Sequence, residues 1–397
     1  MGQNNANRGK TQMIIGVPKE IMHDEDRVSA TPDVCARYIS LGHSVLVEKN
    51  AGEGSYFHDE QYAAAGAEIV DTAREVYERA ELILKVKEPQ FNRLMDMHEV
   101  DMMRPGQVLI TFIHPAAPSN HQMVQNLAAR GVTALTLDGV PRISRAQSMD
   151  ALTSMSTCAG YKGIIMGSNL LPRFVPQIFS AVGQIRPINA LIVGAGVGGL
   201  QALATAKRLG ARVHAADIRP AAREQAQSLG AQIIELNIPE EAAVGTGGYA
   251  KSLSRELLAQ ERAALAARLP EMDLVFLSAL VPGKLAPILI TEEMVQAMKP
   301  GAVIVDISID QGGNCALTPP GEIQTRHKVH LVGIKNIPGL LPESATSMFA
   351  LNMFNLVNYL IKDGQLVLDR GDEIVQGILT TLDGQVVHAG AREAMGL

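Results

Sequence analysis

The sequence lacks tryptophan, and aromatic residues make up only 4% of its 397 positions. Aliphatic side chains must therefore supply most of the core, which favours an α/β fold over an aromatic-rich β-sandwich. A basic excess is also missing, because 35 lysines and arginines stand against 41 aspartates and glutamates, for a formal net charge of −6. No block of basic residues occurs either, so the sequence has no electrostatic footprint for a phosphate backbone, and a nucleic acid partner is disfavoured.

Cysteines and long apolar runs are scarce as well. The three cysteines, Cys35, Cys158 and Cys315, show no CxxC spacing, which argues against a disulfide framework or a structural metal site and favours a reducing cytoplasm. No run approaches the roughly 18 consecutive apolar residues of a membrane-spanning helix. Residues 1–12 are polar and lack the apolar core of a secretion signal, so we expect a disordered tail there.

Short apolar runs alternate with longer helical patterns along most of the chain. The strand-like segment Ser44–Glu48, for example, follows a helical pattern over residues 32–41 that Gly42 closes. Such alternation predicts βαβ units and parallel sheets, and it restarts after about residue 185. A chain of 397 residues is also too long for one core.

We therefore predict two Rossmann-like α/β domains with parallel sheets, joined by long crossing helices. The first domain spans residues 13–150 and is completed by about 340–397, where a long helical pattern and a strand-like tail over residues 374–388 occur. The second domain spans residues 151–339.

A dinucleotide-binding pattern opens the second domain. Gly194, Gly196 and Gly199 follow a predicted strand and begin a predicted helix, and the next strand ends at Asp217. In this context the first glycine permits a tight turn, the second lets a pyrophosphate approach the backbone, and the third allows close packing of helix on strand. Asp217 would accept hydrogen bonds from the adenosine ribose, which predicts NAD(H) over NADP(H), although Arg219 stands two residues away.

Residues 141–154 carry more polar side chains than a plain connection needs. Arg142, Arg145, Gln147 and Asp150 lie there, just before a helical pattern. One interpretation is structural: Ser144 and Gln147 have the spacing of a capping box, and Asp150 would be a carboxylate in the first helical turn. The other interpretation is that these side chains recognise a ligand.

Several motifs together resemble the alanine dehydrogenase/pyridine nucleotide transhydrogenase family. They cover nearly the whole chain from Met13, and the family has two branches that share a two-domain fold with an NAD(H) site in the interdomain cleft. The motifs are Ile-Gly-Val-Pro-Lys-Glu at 15–20, Arg-Val-Ser-Ala-Thr-Pro at 27–32, Leu-Lys-Val-Lys-Glu-Pro at 84–89, Val-Pro-Gly-Lys-Leu-Ala-Pro at 281–287 and Met-Lys-Pro-Gly-Ala-Val-Ile-Val-Asp at 298–306.

In the alanine dehydrogenase branch, hydride passes between NAD and a small amino or keto acid. The resemblance implies a site with Arg27 as the carboxylate clamp, Lys87 and His114 near the carbonyl, and Asp310 as an acidic partner. All four residue types are present, but Arg27 and Lys87 belong to motifs that both branches share.

In the transhydrogenase branch, hydride passes directly between NAD(H) on this component and NADP(H) on a separate one. Residues 141–152 resemble that branch's Arg-Gln-Asp loop, which implies catalytic roles for Arg142, Gln147 and Asp150. Gln147 can donate and accept hydrogen bonds and could bridge the two nicotinamides. The tail from Gly371 also resembles this branch, and dehydrogenases typically lack it.

The same resemblance supplies the remaining expectations. Residues 246–251 are similar to a mobile loop in which Gly247 is a hinge and Tyr249 closes over bound nucleotide. Further contacts to the cofactor are implied at Val197, Ile218, Arg219, Ala279 and Leu280.

We expect the NAD(H)-binding component of a proton-translocating transhydrogenase. It would be a cytoplasmic homodimer that is peripheral on the inner membrane through a membrane-spanning component and an NADP(H)-binding component. The alternatives are an NAD-dependent alanine dehydrogenase and a non-catalytic NAD(H)-sensing module.

Overall fold

The computed structural model describes residues 13–245, 250–281 and 285–397. The chain divides into two compact units: unit 1 comprises the residues up to Met155 together with Leu341–Leu397, and unit 2 comprises Ser156–Leu340. Each unit is built on a sheet of mostly parallel strands with helices between them, which confirms the predicted class of two Rossmann-like α/β domains.

The strands and helices are numbered in chain order over the described residues. The strands are β1 (Ile14–Val17), β2 (Ser44–Glu48), β3 (Glu68–Val70), β4 (Leu82–Leu84), β5 (Phe91–Asn92), β6 (Met97–His98), β7 (Val108–Thr111), β8 (Thr133–Thr136), β9 (Ile178–Ser180), β10 (Gly183–Ile185), β11 (Asn189–Val193), β12 (Arg212–Ala216), β13 (Gln232–Ile233), β14 (Leu274–Leu277), β15 (Val303–Asp306), β16 (Ile323–Arg326), β17 (Val329–Val332), β18 (Ile361–Lys362), β19 (Gln365–Leu366), β20 (Leu379–Leu382) and β21 (Gln385–Val386). The helices are α1 (Pro32–Ser40), α2 (Asp59–Ala64), α3 (Ala73–Arg79), α4 (Glu99–Met102), α5 (His121–Ala129), α6 (Ala151–Leu170), α7 (Val197–Arg208), α8 (Pro220–Ser228), α9 (Glu240–Ala243), α10 (Arg255–Ala266), α11 (Glu292–Gln296), α12 (Pro342–Leu360), α13 (Glu373–Ile378) and α14 (Ala389–Met395).

Unit 1 has an eight-stranded sheet over its described residues, in the order β3-β2-β1-β4-β7-β8-β20-β21. The first six strands run parallel, and β20 pairs antiparallel with both β8 and β21. Strand β4 is buried at every position, as a central parallel strand covered on both faces must be. The strand order reverses between β1 and β4, because β2 and β3 are added on one side of β1 and β4, β7 and β8 on the other. Doubly wound sheets open a crevice at such a point.

Unit 2 has a seven-stranded sheet over its described residues, in the order β13-β12-β11-β14-β15-β17-β16. All pairings are parallel except that of the edge strand β16 with β17. The order of its first five strands repeats that of unit 1, so the equivalent crevice lies between the carboxyl ends of β11 and β14.

Helix α6 packs on the unit 2 sheet through small residues. Gly160, Gly163 and Gly167 lie on one helical face at i, i+3 and i+7. A Cβ on Gly160 would stand 2.1 Å from the carbonyl oxygen of Gly198, and one on Gly163 would stand 2.7 Å from the Phe276 ring. Glycine is therefore needed on this face so that α6 can lie against α7 and β14.

The strand-like tail predicted over residues 374–388 is wrong at its beginning. Residues Glu373–Ile378 form helix α13, and the Asp372 side chain caps it by accepting a hydrogen bond from the Ile374 amide at 2.9 Å. Only β20 and β21 are strands there. The segment is short and apolar, so its periodicity does not separate a helix from a strand, and the cap decides.

Candidate dinucleotide site and polar loop

The turn between β11 and α7 requires glycine at two positions. Gly194 has φ +88°, and a Cβ there would lie 2.7 Å from the Ser278 carbonyl group. A Cβ on Gly199 would lie 1.9 Å from the Gly194 oxygen. These contacts join the ends of β11 and β14, the two strands at which the order reverses, so the turn is tight for the reason that the sequence pattern predicts.

The start of α7 is open. Gly196 is the N-cap residue and provides no side-chain hydrogen bond to the first-turn amides, and a Cβ on it would meet nothing nearer than the Arg219 Nη2 atom at 3.9 Å within the described residues. Val197, the first helical residue, is half-buried. First-turn amides without a side-chain cap among the described residues, together with the helix dipole, make this end attractive to an anion such as a diphosphate. The space in front of Gly196 lets the anion approach.

Asp217 lies directly after β12 and is buried, with 6% of its surface exposed. Its carboxylate accepts hydrogen bonds from the amides of Ala195 and Arg219, both at 2.8 Å, and from the Arg219 guanidinium at 2.8 and 3.0 Å. The hydrogen bond to Asp217 raises the pKa of Arg219. These four bonds fill the carboxylate, so ribose hydroxyl groups would have to displace the Arg219 side chain.

The segment after β14 is held by Asn314, which sequence reasoning did not select. The Asn314 side chain accepts from the Ala279 amide at 2.9 Å and donates to the Ala279 carbonyl at 2.9 Å. Asp306 in turn accepts from the Asn314 amide at 2.7 Å, and burial raises the pKa of Asp306. The backbone of Ala279, one of the implied contact residues, is therefore fixed beside Gly194.

Several other predicted residues can now be placed. Ile218 is buried in the core beside β12, and Asp310 is exposed in a 3-10 helix, Ile309–Gln311. Gly247 and Tyr249 lie outside the described residues.

The polar stretch of unit 1 forms a 3-10 helix, Ser144–Met149, ahead of α6. The capping box suggested for Ser144 and Gln147 is wrong, because Ile143 is the N-cap residue and makes no side-chain cap bond. Gln147 is exposed, and its side chain makes no hydrogen bond with a described residue. Asp150 is buried and caps α6, accepting from the Thr153 amide at 2.8 Å and its hydroxyl group at 2.7 Å.

Two family models match the sequence. The N-terminal domain of alanine dehydrogenase/PNT matches residues 16–159, and the C-terminal domain matches residues 163–389. The chain belongs to the alanine dehydrogenase/PNT family. This confirms the family predicted from the sequence motifs.

Individual relatives come from both branches of the alanine dehydrogenase/PNT family. The chain is 42% identical over 381 residues to an NAD(P) transhydrogenase alpha subunit component of Rhodospirillum rubrum, and the match covers 95% of this chain and 98% of the relative. It is 32% identical to the alanine dehydrogenase of Bacillus subtilis, and that match covers 97% of this chain and 95% of the relative. The crystal structure of a transhydrogenase from Sinorhizobium meliloti is similar, with a TM-score of 0.80 and 34% identity over 95% of this chain and 99% of that one.

Arg27, the carboxylate clamp implied by the alanine dehydrogenase branch, is already bound by the Glu25 side chain in unit 1. Arg27 is 2% exposed, and its guanidinium donates to both Glu25 oxygens, at 2.6 and 2.5 Å. A third contact runs from Nη1 to the Met155 sulphur at 2.9 Å. A substrate carboxylate would have to displace a buried bidentate ion pair to reach this guanidinium.

His114 forms an ion pair with Asp138 in the same unit. Its Nδ1 atom lies 2.7 Å from an Asp138 oxygen, and its backbone amide donates to the other at 2.7 Å. Burial lowers the pKa of His114, but the Asp138 carboxylate outweighs burial and the pKa stands above its usual value. The same contact lowers the pKa of Asp138, even though burial alone would raise it. The half-buried Lys87 is close enough to act on His114 electrostatically, whereas Asp310 belongs to unit 2.

Unit 1 also contains a buried ionic cluster that the sequence did not reveal. Lys85 is fully buried, with its Nζ atom 3.2 Å from Glu20 and 2.9 Å from Glu99. Tyr77 donates to Glu99 at 2.8 Å, and the Val86 amide donates to Glu20 at 2.6 Å. The signal was present in the Leu-Lys-Val-Lys-Glu-Pro motif, whose lysine at 85 directly follows a strand buried on both faces.

Two further features concern the described ranges as a whole. Within residues 13–245, 250–281 and 285–397, no three histidine, cysteine, aspartate or glutamate side chains are grouped as metal ligands. No helix in those ranges combines the length and the apolar character needed to cross a bilayer.

Proposed function

We propose that the chain is the NAD(H)-binding component of a proton-translocating NAD(P) transhydrogenase. Hydride would pass directly between NAD(H) on unit 2 and NADP(H) on a partner component, and a separate membrane component would translocate protons. The contrast between two side chains carries this proposal. The Gln147 side chain is exposed and makes no hydrogen bond with a described residue, whereas Arg27, which a small-acid substrate would need, is bound by Glu25.

The residues of unit 2 fit a dinucleotide. The start of α7, with Gly194, Gly196, Val197 and Gly199, would hold the diphosphate, because no described side chain caps its amides and a side chain at 196 would fill the approach. Asp217, with Ile218 and Arg219 beside it, would hold the adenosine ribose, and Ala279 and Leu280 would contact the cofactor after β14. Gly247 and Tyr249 would close over it. The bound nicotinamide supplies or accepts the hydride.

The loop of unit 1 would align the second nicotinamide. Gln147 can donate and accept through one amide, so it can contact both cofactors without a change of protonation. Arg142 is exposed on the same loop and would contact the incoming cofactor or partner. Asp150 would act through the start of α6, because its carboxylate bonds Thr153.

The partners follow from the same proposal. A homodimer would form through the β9–β10 hairpin of unit 2, where Phe179 and Val182 are 73% and 93% exposed and the strands have no further neighbour among the described residues. Apolar side chains on a small exposed hairpin favour association. The chain would be cytoplasmic and bound to the inner membrane through its membrane-spanning and NADP(H)-binding partners.

An alanine dehydrogenase is the second candidate because of the ion pair between His114 and Asp138, which is what an acid–base group would require. Pyruvate and ammonium should nevertheless fail to oxidise NADH, since Arg27 is not available as a clamp. Robust turnover that His114→Ala abolishes would establish the dehydrogenase instead.

The test of the proposed function is single-turnover hydride transfer after mixing with the membrane and NADP(H)-binding components. The wild-type chain should transfer hydride, and Gln147→Asn should slow transfer by about a hundredfold, because a displacement of about 1 Å between reacting atoms has that effect. NADH affinity and melting temperature of the variant should stay at the wild-type values.

Gln125→Asn, at an exposed glutamine on α5, is the matched control and should transfer at the wild-type rate. A Gln147→Asn variant with full activity would remove the catalytic role of the loop. NADH binding by the wild-type chain without transfer to any loaded partner would indicate a sensing module.

A further inference from the structure

We infer that Arg145 is a positioning residue that fastens the Gln147 loop to the C-terminal segment of the chain through Asp372. This inference rests on the proposed function, because it gives Arg145 and the tail a role in hydride transfer. Neither Arg145 nor Asp372 would touch a cofactor. Both would act by fixing where the Gln147 backbone lies.

The contacts of Arg145 all reach distant regions of unit 1. Its guanidinium donates to the Tyr359 hydroxyl group at 2.9 Å, to Asp372 at 2.9 Å and to Glu373 at 3.0 Å. Tyr359 also donates to the second Asp372 oxygen. One arginine therefore joins the 3-10 helix to the last turns of α12 and to the start of α13, more than 200 residues along the chain.

A second fastening lies on the other side of the same loop. The side-chain amides of Asn352 and Asn355 donate to the Ser148 carbonyl at 2.9 and 3.1 Å. Asn352, Asn355 and Tyr359 stand at i, i+3 and i+7, so they form one polar stripe along α12. Residues 145 and 148 are thus both bound to α12, and Gln147 lies between them.

This loop depends on such contacts. A six-residue 3-10 helix has poor hydrogen-bond geometry and does not persist unaided. Since the Gln147 side chain has no partner of its own among the described residues, only its backbone determines where its amide points. If Arg145 or Ser148 lost its contacts, the side-chain amide of Gln147 would keep its average position but sample a wider range of positions.

The arrangement also gives the tail a purpose. Asp372 and Glu373, the partners of Arg145, lie at the start of the C-terminal tail that begins at Gly371. The carboxylate of Asp372 is held in place because it accepts a hydrogen bond from the Ile374 amide as the cap of α13. The neighbouring Tyr359 ring is held separately, since the Lys362 ammonium lies 5.1 Å from its centre. The loop and the tail, recognised as separate motifs, are one structural unit.

The experiment compares Arg145→Gln, Arg145→Lys, Asp372→Asn and the double variant Arg145→Gln/Asp372→Asn in the reconstituted complex. Arg145→Gln should slow single-turnover hydride transfer by about tenfold or more at saturating partner, because a wider distribution of Gln147 positions leaves fewer complexes with the reacting atoms aligned. Arg145→Lys should recover some of the rate, and the double variant should be no slower than Arg145→Gln. NADH affinity should stay within about twofold, because Tyr359, Asp372 and Glu373, the hydrogen-bond partners of Arg145, all belong to unit 1.

Arg93→Gln removes an exposed arginine of unit 1 that has no hydrogen bond to a described residue, and it should leave the rate unchanged. Should Arg145→Gln prove unstable, Tyr359→Phe removes one hydroxyl group and should give a smaller loss in the same direction. Wild-type transfer rates in Arg145→Gln would overturn the inference.

Tryptic cleavage after Arg142 tests the fastening without hydride transfer. Cleavage should be severalfold faster in Arg145→Gln than in the wild type, because a released loop is a better protease substrate. A wild-type chain that transfers no hydride would refute the proposed function alone, and unchanged cleavage would refute the fastening alone.

Discussion

Five consecutive strands have the same order in the two units, but the units differ in the residues at the point where that order reverses. In unit 2 the carboxyl ends of β11 and β14 meet at Gly194, and no described side chain caps the first-turn amides of α7 there. In unit 1 the equivalent helix α1 is capped by Thr31, which accepts from the Val34 amide at 3.3 Å, and Pro32 occupies its first position. The fold offers a crevice in both units, and the residues at two strand ends decide whether an anion can bind.

Unit 1 fills its crevice with charge instead. Lys85 follows β4 directly and is enclosed by Glu20 and Glu99, with Glu20 bonding the Val86 amide. Burial raises the pKa of Glu20 to about 7, even though Lys85 opposes the shift. A nucleotide diphosphate would meet two carboxylates there, so unit 1 is not expected to bind one.

The largest effect is expected from Lys85→Ala. It leaves Glu20 and Glu99 buried without a counter-charge, and removing one partner of a buried pair destabilises a protein by about 3–5 kcal/mol. Denaturant unfolding should show this loss, whereas Lys49→Ala, at an exposed pair with Asp71, should change stability by about 1 kcal/mol or less. NADH affinity of folded Lys85→Ala should be unchanged, and a large loss of affinity would show that the cluster supports the dinucleotide site.

A smaller effect, on binding, is expected from Asp217→Ala. NADH affinity should fall by about 1–3 kcal/mol, because the ribose hydroxyl groups lose their buried acceptor. Asp273→Ala is the matched control, since Asp273 is also buried and accepts from the Asn189 amide at 2.8 Å, but it precedes β14 at the opposite end of the sheet. Titration of both variants should separate them, and equal losses would mean that Asp217 acts only through stability.

The smallest effect concerns pH and Glu261 on α10. Glu261 is 5% exposed, and burial together with the Asp217 charge raises its pKa from 4.5 to about 7. The folded chain then binds more protons than the unfolded one between these values, so the free energy of unfolding falls as pH rises from about 4.5 to 7 and levels off above. Glu261→Gln should remove this contribution and flatten the dependence of the free energy of unfolding on pH over this range.

Unfolding free energies measured from about pH 5 to 8 check the prediction, because this window spans the raised pKa of Glu261. The exposed Glu256→Gln on the same helix should follow the wild-type profile. If the free energy of unfolding depends on pH in the same way in Glu261→Gln and in the wild type, the pKa of Glu261 is not raised.

Local patterns predicted a large share of this molecule. Strand β2 occurs with the predicted bounds, and the glycine turn has the predicted geometry, because both depend on residues close in sequence. The tail was misjudged because a side-chain cap, Asp372, decides its first turn. The ion pair of Arg27 with Glu25 was missed since motif matching assigns a role without asking what else binds the side chain. The bond from Arg145 to Asp372 spans 227 positions, a separation that no local pattern reveals.

The most direct measurement of the central claim is a calorimetric titration of NADH against the wild type and Gly196→Val. Gly196 has φ −79° and ψ −166°, which any residue adopts, and a Cβ added there would face open space among the described residues. The variant should therefore fold with the wild-type melting temperature. The valine side chain would nevertheless occupy the approach to the α7 amides. We predict one NADH per wild-type chain and none on Gly196→Val. Two NADH per chain, or retained binding by the folded variant, would contradict the assignment of the dinucleotide to unit 2 alone.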